Sequence, residues 1–369
     1  MAEKENKPAS DPPKTSVLKW VGGTTAILSL ILGLYQVTKL VSEVRERHRS
    51  VVELHTVGKD QQNAGNYQGA WTSFEQALER ADQGGQLAKM IGQLDADRQL
   101  LREAQEDLAM AWVEDIRVPE GQTFSNVVDK LIPVLTRGAA NAAGVRKADL
   151  LAHVGWAYFL KKRDTPGTLD PEQYYRQSLE TDANNPYGHV HWGHWVIWQG
   201  RNLEEGTKHF SAAVASGRAL PYVRRIQLAA LENARSETAD GEFLRAVNDM
   251  RKNKEPVDAA ARADLHSRYY FALNSAEGFQ RFIAAVPPAD QIATMRAFFY
   301  EADFDPSKVP VREAALAILQ EAAGLPDEAL QTWLTLRSGL SADSYHTVAA
   351  HADAAIKRLS KSSRQSGGR

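Results

Sequence analysis

The sequence predicts an all-α protein built from stacked helical hairpins, and three observations lead to this prediction. Alanine and other helix-forming residues run through most of the 369 residues, whereas runs of β-branched residues are scarce. Apolar residues recur at spacings of three, four and seven between residues 86 and 116, as in an amphipathic helix. Pairs of short amphipathic helices around tight turns also return along the chain.

Changes in composition predict six segments. Residues 1–15 are polar and carry three prolines, so we expect this tail to be disordered. The other predicted segments are a transmembrane anchor at 16–41, a first repeat unit with a long helix at 42–115, central repeats at 116–218, diverged C-terminal repeats at 219–359 and a disordered basic tail at 360–369.

The composition excludes several classes of function. The chain has no cysteine, which removes disulfide scaffolds, thiolate zinc sites and cysteine nucleophiles. Its 44 basic and 46 acidic residues leave a net charge of −2, so no nucleic-acid partner is expected. It contains no glycine-rich phosphate loop, GxGxxG, HExxH or GxSxG motif. We therefore expect a protein that is not an enzyme and needs no cofactor.

An uncharged segment near the N-terminus predicts a membrane anchor. It runs from Val21 to Val37 between Lys19 and Lys39 and, with its flanks, reaches roughly 20 residues, about the length that crosses a bilayer core. A cleaved signal peptide is the alternative, but no small-residue cleavage site follows. The sequence thus predicts a single-pass membrane protein. Lysine and arginine are nearly balanced on the two flanks, which leaves the side of the soluble part undecided.

Small residues within this segment recur at spacings of four, three and four, which places them on one helix face: Gly22, Ala26, Ser29 and Gly33. A stripe of small residues lets two transmembrane helices approach closely. Single-span helices also carry such residues by chance. A homodimer formed through the anchor is therefore one of two open interpretations.

The first helix pair covers residues 54–78. Gly58 and Ala70 are small residues that face each other, and Leu54 and Phe74 fill the space between the helices and their neighbours. This pattern resembles the tetratricopeptide (TPR) repeat. Similar sequence patterns recur at residues 154–179, 190–214 and 315–336.

The TPR resemblance implies a curved solenoid whose inner helices line a concave groove, where an extended peptide or a helix can bind. Residues from the first three units are expected to face that groove: His55, Lys59, Gln62, Trp156, Phe159, Tyr187 and His194. The aromatic character of the second and third units favours an apolar peptide or helix as the ligand.

Three histidines and three tryptophans are concentrated in residues 189–198. Imidazole is a good ligand for zinc, copper or nickel, and His191 and His194 share a helix face close to His189. No carboxylate with suitable spacing accompanies them, and Trp192 holds a packing position in the repeat. The cluster is either structural and groove-lining or part of a metal- or ligand-sensing module.

The resemblance favours a membrane-anchored scaffold or adaptor that binds partner proteins through its groove without catalysis of its own. Short N-terminal anchors on TPR solenoids resemble bacterial inner-membrane assembly factors and envelope adaptors, which implies a bacterial inner-membrane location. A structural subunit of a membrane-bound enzyme or secretion assembly is the first alternative, and the sensing module at 189–198 is the second.

Overall fold

The computed structural model shows sixteen α-helices and one short 3-10 turn in the part of the chain that it describes, and no strand there. The described residues are 15–83, 93–118, 121–167, 169–200, 202–234, 236–301, 304–340 and 345–366. Within them, side chains are not described at 15–27, 93, 237, 276 and 362–366. The all-α prediction is confirmed.

Contacts divide the chain into two compact units, the first ending at Asp115 and the second beginning at Ile116. The first unit contains three described helices: α1 (Thr15–Asn63), α2 (Tyr67–Asp82) and α3 (Gln93–Glu114). Helices α1 and α2 form a hairpin, and α3 packs against both. Residues 1–14 of the predicted disordered tail lie outside the described residues.

The second unit contains thirteen described helices, most of which pack against the next helix along the chain. They are α4 (Phe124–Asn141), α5 (Gly144–Asp164), α6 (Glu172–Thr181), α7 (Pro186–Trp198), α8 (Leu203–Ala215), α9 (Leu220–Ala234), α10 (Glu237–Lys252), α11 (Ala259–Ala272), α12 (Ala276–Ala285), α13 (Pro288–Phe298), α14 (Val309–Ala322), α15 (Pro326–Gly339) and α16 (His346–Ser366). Helix α16 includes residues 360–366 of the predicted tail, and 367–369 lie outside the described residues.

Local sequence sets the ends of these helices. Side-chain oxygens accept hydrogen bonds from backbone N–H groups in the first turn of six helices, at Asn66, Asn185, Asn202, Ser236, Asp258 and Ser275. Glycines with positive φ follow the first helix of three hairpins, at Gly65, Gly200 and Gly324. This left-handed conformation favours glycine, and it turns the chain sharply enough for the second helix to fold back.

An aromatic ring lies directly over a glycine of the opposing helix in three hairpins. A Cβ atom added at Gly155 would lie 2.5 Å from Cε1 of Tyr175, and one at Gly193 would lie 2.9 Å from Cε1 of Phe210. Gly58 meets the ring of Phe74 in the same way. All three rings are fully buried. The repeated helix pairs predicted from the sequence are thus present as a helical-repeat fold.

The predicted membrane anchor is not found. Helix α1 is continuous from Thr15 to Asn63. No helix in the described residues is both long enough and apolar enough to span a bilayer. The single-pass membrane localisation predicted from the sequence is therefore wrong.

The small-residue face proposed for dimerisation is only partly visible. Gly22 and Ala26 lie in the part of α1 whose side chains are not described. Ser29 and Gly33 are exposed, and a Cβ atom at Gly33 would meet no atom within 4 Å. Self-association through this face stays a prediction.

The ring-over-glycine contact predicts a large effect of one methyl group. We expect Gly155→Ala to lower the free energy of unfolding of the second unit by about 1–3 kcal/mol, because Tyr175 must move out of a closely packed position. Denaturant titration followed by circular dichroism measures this change.

Gly339→Ala is the matched control, since this helical glycine has open space around the added atom. The control is expected to be neutral or stabilising by up to about 1 kcal/mol, as helix propensity dictates. Equal stabilities of the two variants would contradict the proposed role of the contact.

Candidate functional site

Rings from α5 and α7 stack in a continuous array within the second unit. Trp156 lies parallel to His191, with ring centroids 4.7 Å apart and an interplanar angle of 13°. It also stacks on Phe159 at 4.8 Å. His194 meets Trp156 and Phe159 edge-on, in each case at 5.1 Å. We call Trp156, Phe159, His191, His194 and Trp198 the α5–α7 aromatic cluster.

Most of the α5–α7 aromatic cluster is buried. Trp156, Phe159 and His194 expose 6%, 1% and 8% of their surface, although the sequence predicted that they face an open groove. Tyr187, the fourth predicted groove residue of this unit, is half-buried, and Trp198 is 46% exposed. Accessible aromatic surface is thus found at the two ends of α7. Trp198 is not among the groove residues predicted from the sequence, although its spacing of four residues from His194 places both on one helix face.

Hydrogen bonds from His191 tie three helices together. Its Nδ1 lies 3.2 Å from the carbonyl oxygen of Ala152 on α5, and its Nε2 lies 2.6 Å from the hydroxyl of Tyr222 on α9. A carbonyl oxygen only accepts, so Nδ1 carries the proton in the neutral ring and Tyr222 donates to Nε2. This pattern satisfies both nitrogens of a fully buried imidazole and fixes α7 between its neighbours.

Burial keeps the histidines of the α5–α7 aromatic cluster neutral. It holds the pKa of His191 well below the ordinary value of 6.5, and the nearby His153 lowers it further. Burial, with a smaller effect of Arg163, lowers the pKa of His194 to about 4. Both rings therefore pack as uncharged aromatic groups at pH 7, and the cluster carries no proton-transfer group with a pKa near neutrality.

The groove residues predicted on α1 belong to the first unit, and all three are half-buried there. The ring of His55 lies 5.8 Å from that of Phe74, and burial, followed by the charge of Lys59, lowers the His55 pKa. Lys59 Nζ donates to Oε1 of Gln62 over 3.4 Å. Their role in binding a partner stays a prediction.

The three histidines at 189–198 point to different neighbours. His191 faces α5 and α9, His194 packs on Trp156, and His189 lies against His209 of α8 with their Nδ1 atoms 3.0 Å apart. Within the described ranges, no group of three or more His, Cys, Asp or Glu side chains could hold a metal ion. The trio that the sequence suggested as a metal centre therefore does not converge.

No known family profile matches the chain, and no curated protein matches it in sequence. Among solved structures, a similar chain is that of the hypoxic regulator of sterol synthesis Nro1, described as a nuclear import adaptor. The two chains share 14% identity over 86% of this chain and 99% of the other, with a TM-score of 0.32. A TM-score this low does not establish a common fold, and membership of the TPR family is not shown. The helical-repeat fold is assigned from the helix pairs described above.

The hydrogen bond between Tyr222 and His191 predicts a measurable loss on removal of one hydroxyl. Tyr222→Phe leaves the buried Nε2 of His191 without a donor, which is expected to lower the free energy of unfolding by about 1–3 kcal/mol. Tyr270→Phe is the control, because this ring is 45% exposed, and a change within about 0.5 kcal/mol is expected there. Urea titration of both variants makes the comparison, and equal effects would contradict the assignment.

Stability is expected to fall in mild acid because of His194. The folded protein protonates this ring only near pH 4, whereas the unfolded chain protonates it near pH 6.5. As the pH drops below about 6.5, the unfolded state therefore binds more protons and gains stability until about pH 4. Between pH 7 and pH 5, protonation of His194 in the unfolded chain is expected to lower the free energy of unfolding by about 2 kcal/mol.

His194→Phe keeps an aromatic ring and removes the titrating group. The unfolding free energy of this variant should therefore depend less steeply on pH between pH 7 and pH 5 than that of the wild type. His346→Phe, the same substitution at an exposed position, provides the control. Denaturant titrations at pH 7 and pH 5 measure both slopes. A wild-type slope in His194→Phe would show that other groups dominate.

Proposed function

We propose that the chain is a protein-interaction scaffold of helical repeats, without catalysis of its own, that binds an apolar peptide or helix of a partner protein along α7. The support comes from the repeated hairpins and from the distribution of aromatic surface on them. Helical repeats present long surfaces that suit extended ligands. The α5–α7 aromatic cluster supplies rigid packing beneath such a surface.

Trp198 is the observation that carries this proposal. Its ring stacks on Trp195 with centroids 5.3 Å apart and meets Phe159 edge-on at 5.4 Å, yet 46% of the residue is exposed. An aromatic side chain already held in place loses little conformational entropy when a partner covers it. Tryptophan is also among the residues that most often dominate binding energy at interfaces.

Tyr187 provides the second anchor at the other end of α7. Its ring lies 4.5 Å from that of His153 and 5.6 Å from that of Tyr222, so neighbouring rings hold its position. Tyr187 and Trp198 are eleven residues apart, which corresponds to three helical turns and about 16 Å on one face. This spacing suits a partner segment of two to three helical turns or a short extended peptide.

The remaining predicted groove residues have a supporting part in this proposal. Trp156 and Phe159 are buried beneath α7 and would position Trp198, while His194 fills the space between them. The residues predicted on α1, namely His55, Lys59 and Gln62, belong to the first unit, and partner binding by them stays a separate prediction.

Site-specific photocrosslinking in cells of the native host tests the proposal. A photoreactive phenylalanine analogue placed at Trp198 or Tyr187 is expected to capture the same protein partner, because both positions lie on one face of α7. The analogue at the exposed Leu334 of α15 is the control and should not capture it. Capture at 198 should fall at least tenfold when Tyr187→Ala is added, since a hot-spot aromatic contributes about 2 kcal/mol or more.

Two results would contradict the proposal. One is a crosslinking pattern at 187 and 198 that is the same as at 334. The other is a partner captured at 198 whose yield is independent of Tyr187 while the variant keeps wild-type thermal stability.

A further inference from the structure

A pair of histidines, His189 of α7 and His209 of α8, lies between these two helices. Neither residue belongs to the α5–α7 aromatic cluster. Nδ1 of His189 and Nδ1 of His209 are 3.0 Å apart, and both side chains are half-buried. They are 20 residues apart in sequence, and the hairpin brings them together. Both side chains are therefore partly accessible to solvent.

The protonation pattern of this pair follows from its neighbours. Nε2 of His189 lies 3.0 Å from the carbonyl oxygen of Ala183, so this nitrogen carries a hydrogen and Nδ1 carries a lone pair. In the neutral pair, His209 then donates its Nδ1 hydrogen to that lone pair. If His209 instead carries its hydrogen on Nε2, the two Nδ1 lone pairs face each other, and a cation bound to both nitrogens lies beside the line that joins them.

Two contacts orient the rings in the way that metal ligands require. The bond from His189 Nε2 to a backbone carbonyl is the partner that ligating histidines usually have. His209 stacks on Trp192, with centroids 4.8 Å apart and an interplanar angle of 24°. An ion bound to both Nδ1 atoms replaces the hydrogen bond between the two rings.

The distance between the nitrogens selects the metal geometry. With metal–nitrogen bonds of about 2.0–2.1 Å, atoms 3.0 Å apart subtend about 91–97° at the metal. This angle is close to the 90° between neighbouring ligands of a tetragonal site and well below the tetrahedral angle preferred by zinc. Copper(II) favours tetragonal nitrogen and oxygen ligation and has the highest affinity in the divalent series.

We infer that His189 and His209 form a copper(II) site that joins α7 to α8, with water completing the coordination. Two carboxylates act electrostatically on the pair, Asp182 on His189 and Glu172 on His209, and each also forms an ion pair with an arginine, Arg218 and Arg176 respectively. The site is independent of the proposed partner-binding surface.

Copper titration of the full chain tests the inference. The protein should carry no affinity tag and should first be stripped with EDTA, and copper(II) is then added with a chelator of known affinity as competitor. We expect one high-affinity equivalent, with electron paramagnetic resonance hyperfine structure from two imidazole nitrogens. His189→Ala and His209→Ala should each weaken binding at least tenfold, whereas His346→Ala, on exposed α16 surface, should leave it unchanged.

The melting temperature in EDTA shows whether each variant is folded, and His209→Gln, which keeps a polar side chain of similar reach, provides a second variant at that position. Copper is expected to raise the melting temperature of the wild type and of His346→Ala, but not of the other variants. The inference is overturned by absence of binding below millimolar copper, by equal affinity in all folded variants, or by a signal from fewer than two imidazoles.

Discussion

Close approach of paired helices over glycine is the constraint on which the repeat fold depends. Gly58, Gly155 and Gly193 each lie under an aromatic ring that would collide with a β-carbon. Because each ring is fully buried, the contact sets the distance between the two helices of its hairpin and leaves no space for water. Hairpins of similar cross-section can then stack on one another, since each offers a similar surface to the next.

In the second unit this stacking places the first helices of successive hairpins side by side, and the candidate site is formed there. Helix α7 packs against α5 on one side and α9 on the other, so that His191 bonds to Ala152 and Tyr222. The same arrangement buries Trp156 and leaves Trp198 at an exposed edge. A single requirement, dense packing of inner helices, thus explains both why most of the cluster is inaccessible and why its end is rigid.

The sequence was sufficient for the helical class and for the glycine-centred hairpins, because small residues opposite aromatic ones leave a local pattern. It failed where the outcome depends on tertiary packing. Trp156 and Phe159 have the spacing of groove residues, but only the position of α7 decides that they are covered. His209 lies 20 residues from His189, and no motif indicates their contact. The membrane prediction rested on a lack of charge, whereas no helix among the described residues is both long enough and apolar enough to span a bilayer.

The number of residues between glycine and ring differs among the three hairpins: 16 from Gly58 to Phe74, 20 from Gly155 to Tyr175 and 17 from Gly193 to Phe210. The contact is nevertheless the same, so the extra residues are taken up by the connection. Lengthening a flexible connection is inexpensive, at about 0.6 kcal/mol for each doubling. The turn between α5 and α6 is therefore a point where the chain tolerates foreign sequence, and a fluorescent reporter or a purification epitope can be inserted there while the repeat remains intact.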